Sequence, residues 1–305
     1  MRIVSLLPSA TEIVYALGLG DSLVGVTHEC DYPPAARTKP AVTASALAGP
    51  ADSATIDRLV VASLHDHRGL YTLDERLLRD LRPDLILTQE LCEVCAVAYP
   101  EVQRAARILP GETTVVSLEP GTLGDVLDTI TLVGGLTGRE AEAAAVVAGL
   151  RQRMAAVAAR AAGAPARPRV YCMEWIDPPF RAGHWIPEMV DLAGGEEVLG
   201  RAGERSTRAT WEEIAHAAPE VVVVMPCGFD VERAARELEA VRVRMEWRRL
   251  PAVSRGAVWI ADGSAYFSRP GPRIVDGLEI LAHALHPDLF PAPSQECLRG
   301  ISAPT

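Results

Sequence analysis

Short apolar runs alternate along this chain with stretches whose apolar positions recur every three or four residues, the pattern of strands alternating with helices. The first run, Arg2 to Leu7, leads into Pro8-Ser9-Ala10-Thr11-Glu12 and an apolar helix ending at Gly18. The same order returns from Arg169 to Glu174, through a loop to His184, and into a helix from about Pro187 to Gly194-Gly195. Pro83-Asp84-Leu85-Ile86-Leu87-Thr88-Gln89 is echoed by Pro219-Glu220-Val221-Val222-Val223-Val224-Met225, and Thr113 to Leu118 by Ala257 to Ala261. Such alternation predicts mostly parallel sheets covered on both faces. The expected fold class is therefore α/β: two similar lobes joined by one long α-helix, with a ligand cleft between the lobes.

Helix starts are marked by four candidate capping boxes: Ser9 with Glu12, Thr72 with Glu75, Thr137 with Glu140, and Thr210 with Glu213. The third opens the longest helical stretch, Gly138 to about Ala162, rich in Ala, Glu and Arg and free of proline. At 1.5 Å per residue it would run for about 37 Å. The expected division is an N-terminal lobe over 1–136, a linking helix over 137–163, a C-terminal lobe over 168–290, and a loose Pro- and Ser-rich tail over 291–305 that includes Cys297. With Gly149 as its one weak point, such a helix implies small rocking of the lobes rather than wide hinge closure.

Composition narrows the function. A chain of 305 residues that is 49% hydrophobic can bury the cores of two domains. Thirty basic against 40 acidic residues give a net charge of −10, which argues against a nucleic-acid partner. No apolar run reaches the roughly 18 to 20 residues that span a bilayer, so no membrane insertion is expected. Ile3 to Leu7 is too short for the apolar core of an export signal, which points to a cytoplasmic chain, or a periplasmic or extracellular one only if a leader precedes Met1. Six cysteines in a chain of this size then read as thiols or ligands rather than a disulfide framework.

Ligands of parallel α/β sheets bind beyond the carboxyl ends of the strands, so the residues after each predicted strand are the candidates. After the first come Ser9 and Thr11, suited to a polar or anionic group or simply to capping. Thr27-His28-Glu29-Cys30-Asp31-Tyr32 follows the next, offering His28, Glu29 and Tyr32 together. Thr88-Gln89-Glu90-Leu91-Cys92-Glu93-Val94-Cys95 brings Gln89 and a Cys-x-x-Cys pair that could hold a metal or form a redox disulfide. The second half contributes Glu174-Trp175-Ile176-Asp177-Pro178-Pro179-Phe180 and Gly183-His184-Trp185, where two tryptophans and a phenylalanine suggest a flat apolar surface for a large ring system, with core packing as the alternative. Tyr266, Phe267, Arg269 and Arg273 join aromatic rings to guanidinium groups suited to carboxylate, phosphate or a ring face.

Cys30, Cys92, Cys95 and Cys227 are the candidate metal ligands, for zinc or iron, with buried free thiols the competing state. His65-Asp66-His67 reads either as a metal site or as a solvated turn. No nucleophile elbow, zinc-protease motif, P-loop or dinucleotide fingerprint occurs, so no catalytic residue is assigned.

The opening Arg2-Ile3-Val4-Ser5-Leu6-Leu7-Pro8-Ser9-Ala10-Thr11-Glu12, then Leu17-Gly18-Leu19-Gly20-Asp21, Val24-Gly25-Val26-Thr27 and Pro83-Asp84-Leu85-Ile86, resembles the solute-binding proteins of iron-siderophore, haem and vitamin B12 importers, the cobalamin-binding group most closely. The resemblance covers about residues 1 to 290. It implies two α/β lobes joined by one helix, a ligand bound between them without chemical change, and an ABC-transporter permease as partner if the chain is exported. The His28-Glu29-Cys30-Asp31, Cys92-x-x-Cys95, Gly183-His184-Trp185 and Met225-Pro226-Cys227-Gly228 segments depart from the general pattern of that family. The expected function is non-enzymatic binding of a cobalamin-like corrinoid or a related metal-chelate or tetrapyrrole, with His28 or His184 as axial ligand and Arg269 on peripheral groups. The alternative is a metal-dependent or thiol enzyme, or a metal-binding protein, using Cys30, Cys92, Cys95, Cys227, Glu29 and His184.

Overall fold

A computed structural model of the chain describes residues 1–45, 51–65, 71–89, 102, 104, 105 and 112–301. The chain divides into two compact units. The first comprises Met1–Ala51, Arg58–Pro120 and Gly124–Ala148, and the second Asp52–Asp57, Gly121–Leu123 and Gly149–Thr305. The helix Glu140–Ala161 thus contributes to both, changing unit between Ala148 and Gly149. Its 22 residues correspond to about 33 Å, slightly less than the pattern suggested.

The strands of the first unit are β1 (Ile3–Ser5), β2 (Leu23–Val26), β3 (Thr43–Ser45), β4 (Tyr71–Leu73), β5 (Leu85–Thr88) and β6 (Thr114–Ser117). Four of them form a parallel sheet in the order β2-β1-β5-β6, while β3 and β4 make a separate antiparallel pair. All four residues of β5 are buried, as expected of a strand covered on both faces. Val4 and Ile86 of the sheet, with Leu6 just beyond β1, pack with Val42 and Leu78 into one apolar cluster.

The second unit contains β7 (Arg169–Trp175), β8 (Phe180–Arg181), β9 (Glu196–Glu197), β10 (Thr207–Arg208), β11 (Val221–Val224), β12 (Val258–Ala261) and β13 (Leu298–Ile301). Its sheet runs β10-β8-β7-β11-β12-β13, with β9 beside β7. β7, β11 and β12 are parallel neighbours, repeating the β1-β5-β6 order of the first unit strand for strand. The flanks are antiparallel. Between β7 and β8 lie only residues 176–179, too few for the crossover that a parallel pair requires. Within the tail expected to be loose over 291–305, Leu298–Ile301 instead pairs with β12 in register from Ala261↔Leu298 to Val258↔Ile301. The backbone ladder supplies what its Pro- and Ser-rich sequence does not advertise.

Of the four capping boxes, only Thr210 with Glu213 forms. Pro8 stands at the first position of its helix and Leu7 takes the cap, because proline presets the helical φ and needs no amide partner. Asp74, two residues beyond Thr72, caps Glu75–Leu81 by accepting from the Leu77 amide. Thr137 ends the preceding helix and donates back to the Val133 carbonyl at 2.7 Å.

Candidate functional site

In the first unit, each parallel strand ends in or runs straight into a hydroxyl residue: Thr27 after β2, Ser5 on β1, Thr88 on β5 and Ser117 on β6. Parallel pairing in register brings these groups to one edge of the sheet. Thr11, fully buried, donates to Ser5 Oγ at 2.9 Å, and its oxygen lies 3.0 Å from Cys30 Sγ. Ser9, Thr11 and Gln89 are all buried, so these three candidates are interior groups. Thr88 Oγ1 is buried and has no hydrogen-bond partner among the described residues.

The second half of this edge centres on His28. Thr43 Oγ1 donates to Thr27 Oγ1 at 2.9 Å, so its own proton is committed. The 2.8 Å contact between His28 Nδ1 and Thr43 Oγ1 is then an Nδ1–H donation, which in the neutral ring puts the lone pair on Nε2. Nε2 lies 4.0 Å from Glu29 Oε1, and that oxygen accepts from Tyr71 OH at 2.9 Å. The His28 and Tyr71 rings stand 5.3 Å apart. His28 is partly accessible, at 27% of its side chain, while Tyr32 is exposed. The sequence reading missed Thr43 and Tyr71, which come from a two-stranded sheet of three residues a side with no motif around it.

In the second unit, Glu174 near the end of β7 accepts from the Gly183 amide at 3.3 Å and from the Ser206 hydroxyl. A side chain at Gly183 would press on the backbone of Glu204 and Ser206, so glycine is required for this approach. His184 follows with φ 50°, and its Nε2 is enclosed without a hydrogen-bond partner among the described residues. Burial first, and then the charge of Arg205, holds the imidazole below its usual range. Trp175 stands 5.2 Å from the Phe229 ring, and its indole N–H donates to the Ser53 carbonyl. Arg233 lies 3.7 Å over the other partner, Phe229.

Core packing describes two further candidates. Trp185, 6% exposed, donates its indole N–H to the Phe267 carbonyl at 2.9 Å, and Phe267 is itself buried. An aromatic ring becomes a core residue once its one polar atom finds a backbone partner. Arg269 is also buried and donates to Ser264 Oγ at 3.3 Å. Tyr266 accepts from the Cys297 thiol and lies under Arg273, whose guanidinium is 5.6 Å from the ring; burial raises its phenol.

Among the described residues, no three His, Cys, Asp or Glu side chains stand close enough together to hold a metal ion. Cys30 is tied to Thr11 within the first unit, and Cys227 is a half-buried free thiol of the second. Cys92, Cys95, Asp66 and His67 lie outside the described residues. No helix among the described residues is long and apolar enough to cross a membrane.

Comparison with known proteins follows the same lines. Over 285 residues the chain is 26% identical to the vitamin B12-binding protein of Vibrio cholerae, covering 91% of this chain and 86% of the relative. An ABC transporter substrate-binding lipoprotein of Bacillus subtilis is 25% identical over 294 residues, covering 95% and 81%. Among solved structures, a periplasmic heme binding protein from Pseudomonas aeruginosa superposes with a TM-score of 0.73 at 22% identity, covering 100% of this chain and 99% of the other. The Vibrio cholerae periplasmic vitamin B12 binding protein gives 0.66 at 24%, covering 93% and 96%. The periplasmic binding protein model matches residues 3–265, and the chain therefore belongs to the periplasmic binding protein family, whose members bind a solute rather than transform it.

Proposed function

We propose that this solute-binding protein takes a cobalamin-like corrinoid and presents it to an ABC-transporter permease. The observation that carries the reading is the similarity to a vitamin B12-binding protein over nine-tenths of the chain. The first unit supports it in two ways. Its parallel strands end in neutral hydroxyl groups, Ser5, Thr27, Thr88 and Ser117, rather than in the basic side chains that a carboxylate ligand would call for. His28, with Nδ1 fixed on Thr43 and the lone pair on Nε2, has the tautomer of a metal-ligating imidazole whose orientation is set by its other nitrogen. His184 is less suited, because its Nε2 is already enclosed.

Titration of the purified protein with hydroxocobalamin, followed in the visible spectrum, tests the reading. Saturable binding with an absorbance shift from imidazole ligation is expected, and His28→Ala should lose the shift while retaining weaker binding. Haem serves as the competitor. Flat spectra and flat calorimetry at ligand concentrations of about 50 μM would remove the corrinoid assignment.

A further inference from the structure

The turn between the helices Val231–Arg242 and Met245–Arg248 concentrates positive charge in a chain whose net charge is −10: Arg242, Arg244, Arg248 and Arg249 fall within one short segment. Val243, 66% exposed, is the most exposed large apolar side chain among the described residues, and Met245 in the same segment is 56% exposed. Trp247 and Leu250 are buried and fix which side of the short helix faces inward. Met245, Arg248 and Arg249, related by three and four positions, therefore share its outer side.

The charges around the segment leave it cationic. Glu239 pairs with Arg242 at 2.7 Å, and the half-buried Glu246 is the acid on the short helix itself. Arg244 lies 5.4 Å from the centre of the Trp211 ring, a contact that keeps its charge. Among the described residues, no ion pair joins Arg244, Arg248 or Arg249 to an acid. Solvation alone explains the exposed arginines of such a turn, and not the exposed valine and methionine set among them.

We propose that residues 242–249 form a peripheral docking face for anionic phospholipid head groups. Guanidinium groups bind phosphate oxygens in a planar fork, and Val243 and Met245 between them can seat at the boundary of head groups and acyl chains. A helix-to-helix turn meets a fluid head-group layer without a shaped counterpart, whereas a folded acidic partner would have to provide one. The attraction is local to a Debye length, so the acidic remainder of the chain does not cancel it.

The full chain is tested by flotation with vesicles of phosphatidylcholine alone and of phosphatidylcholine with about 30% phosphatidylglycerol. Binding to the anionic vesicles at about 0.1 M salt, at least roughly tenfold above the neutral ones and lost at about 0.5 M, is expected. Arg244→Gln with Arg249→Gln should weaken it about tenfold, and Val243→Ser with Met245→Ser a few fold without removing its salt dependence. Thermal melts of both variants guard against misfolding. Equal binding to both vesicle types, an unaffected arginine variant, or capture only by acidic soluble protein with no vesicle binding would overturn the proposal.

Discussion

Arg82 and Ala218 hold the same left-handed backbone conformation, φ 45° with ψ 62° in one and 57° in the other, each closing a short helix and preceding a proline. Beyond that proline each unit places an acid on the amide at the start of its leading strand. Asp84 Oδ2 accepts from Arg2 N at 2.6 Å, and Glu220 Oε2 from Arg169 N at 3.1 Å. The backbone returns the bond, Asp84 N to Arg2 O at 2.8 Å and Glu220 N to Arg169 O at 2.7 Å. The internal duplication thus reaches down to individual hydrogen bonds.

Because neither Arg82 nor Ala218 is glycine, both carry the steric cost of a Cβ in the left-handed region. Arg82→Gly and Ala218→Gly should each stabilise the protein by about 0.5 to 1 kcal/mol, the relief being partly offset by greater freedom of the unfolded chain. Scanning calorimetry should show an upward shift of about 1 to 2 degrees, similar for the two sites. A clear loss of stability in both would show that the conformation carries no such cost.

The one capping box that forms allows a paired comparison. Thr210→Ala removes the acceptor for the Glu213 amide and should cost about 1 kcal/mol. Thr72→Ala should cost far less, since Asp74 holds the Leu77 amide. Equal losses in urea denaturation would contradict the assignment of caps.

These caps also show where the sequence was legible. Strand order and its repeat were readable because a buried strand needs a continuous apolar run, as at Val221–Val224, and glycine could be placed where helices end, as at Gly18 and Gly194 with φ 72° and 82°. Side-chain chemistry near a helix start was ambiguous, because Pro8 and Asp74 compete locally with Ser9 and Thr72 for the same role. At the candidate site, His28 and Glu29 stood out from their neighbours, but their partners Thr43 and Tyr71 are joined to them only by tertiary contact. Trp185 and Phe267 looked like ligand surface for the opposite reason: aromatic residues in a loop have the same sequence signature whether they face solvent or core.

Thiol reactivity offers a further check. Cys30 and Cys172 are buried, and burial, reinforced by nearby Glu197, pushes the Cys172 thiol well up. Cys227 and Cys297 are half-buried. Among these four described cysteines, brief alkylation of the native protein followed by peptide mass spectrometry should tag Cys227 and Cys297 first, with Cys30 and Cys172 slower by about tenfold or more, since reactivity follows access and thiolate fraction. Cys172 labelled as fast as Cys227 would contradict the buried position of β7.

His184 links the second unit to pH. Its backbone is fixed in the left-handed region by the bonds from its own amide to Glu204 O at 2.6 Å and from the Gly203 amide to its carbonyl at 2.9 Å. Burial, with Arg205 adding to it, lowers the imidazole from 6.5, so the unfolded chain binds the proton more readily than the folded one. The stability linked to this residue is therefore complete above about pH 6.5 and diminishes as the pH falls below it. His184→Asn keeps a residue that tolerates the left-handed conformation and removes the titration. Melting temperatures measured between pH 7.5 and 5.5 should fall less in the variant than in the parent chain, the other histidines being common to both. An identical pH slope would show that the imidazole takes up its proton as easily folded as unfolded, and so is not the enclosed neutral group assigned to it.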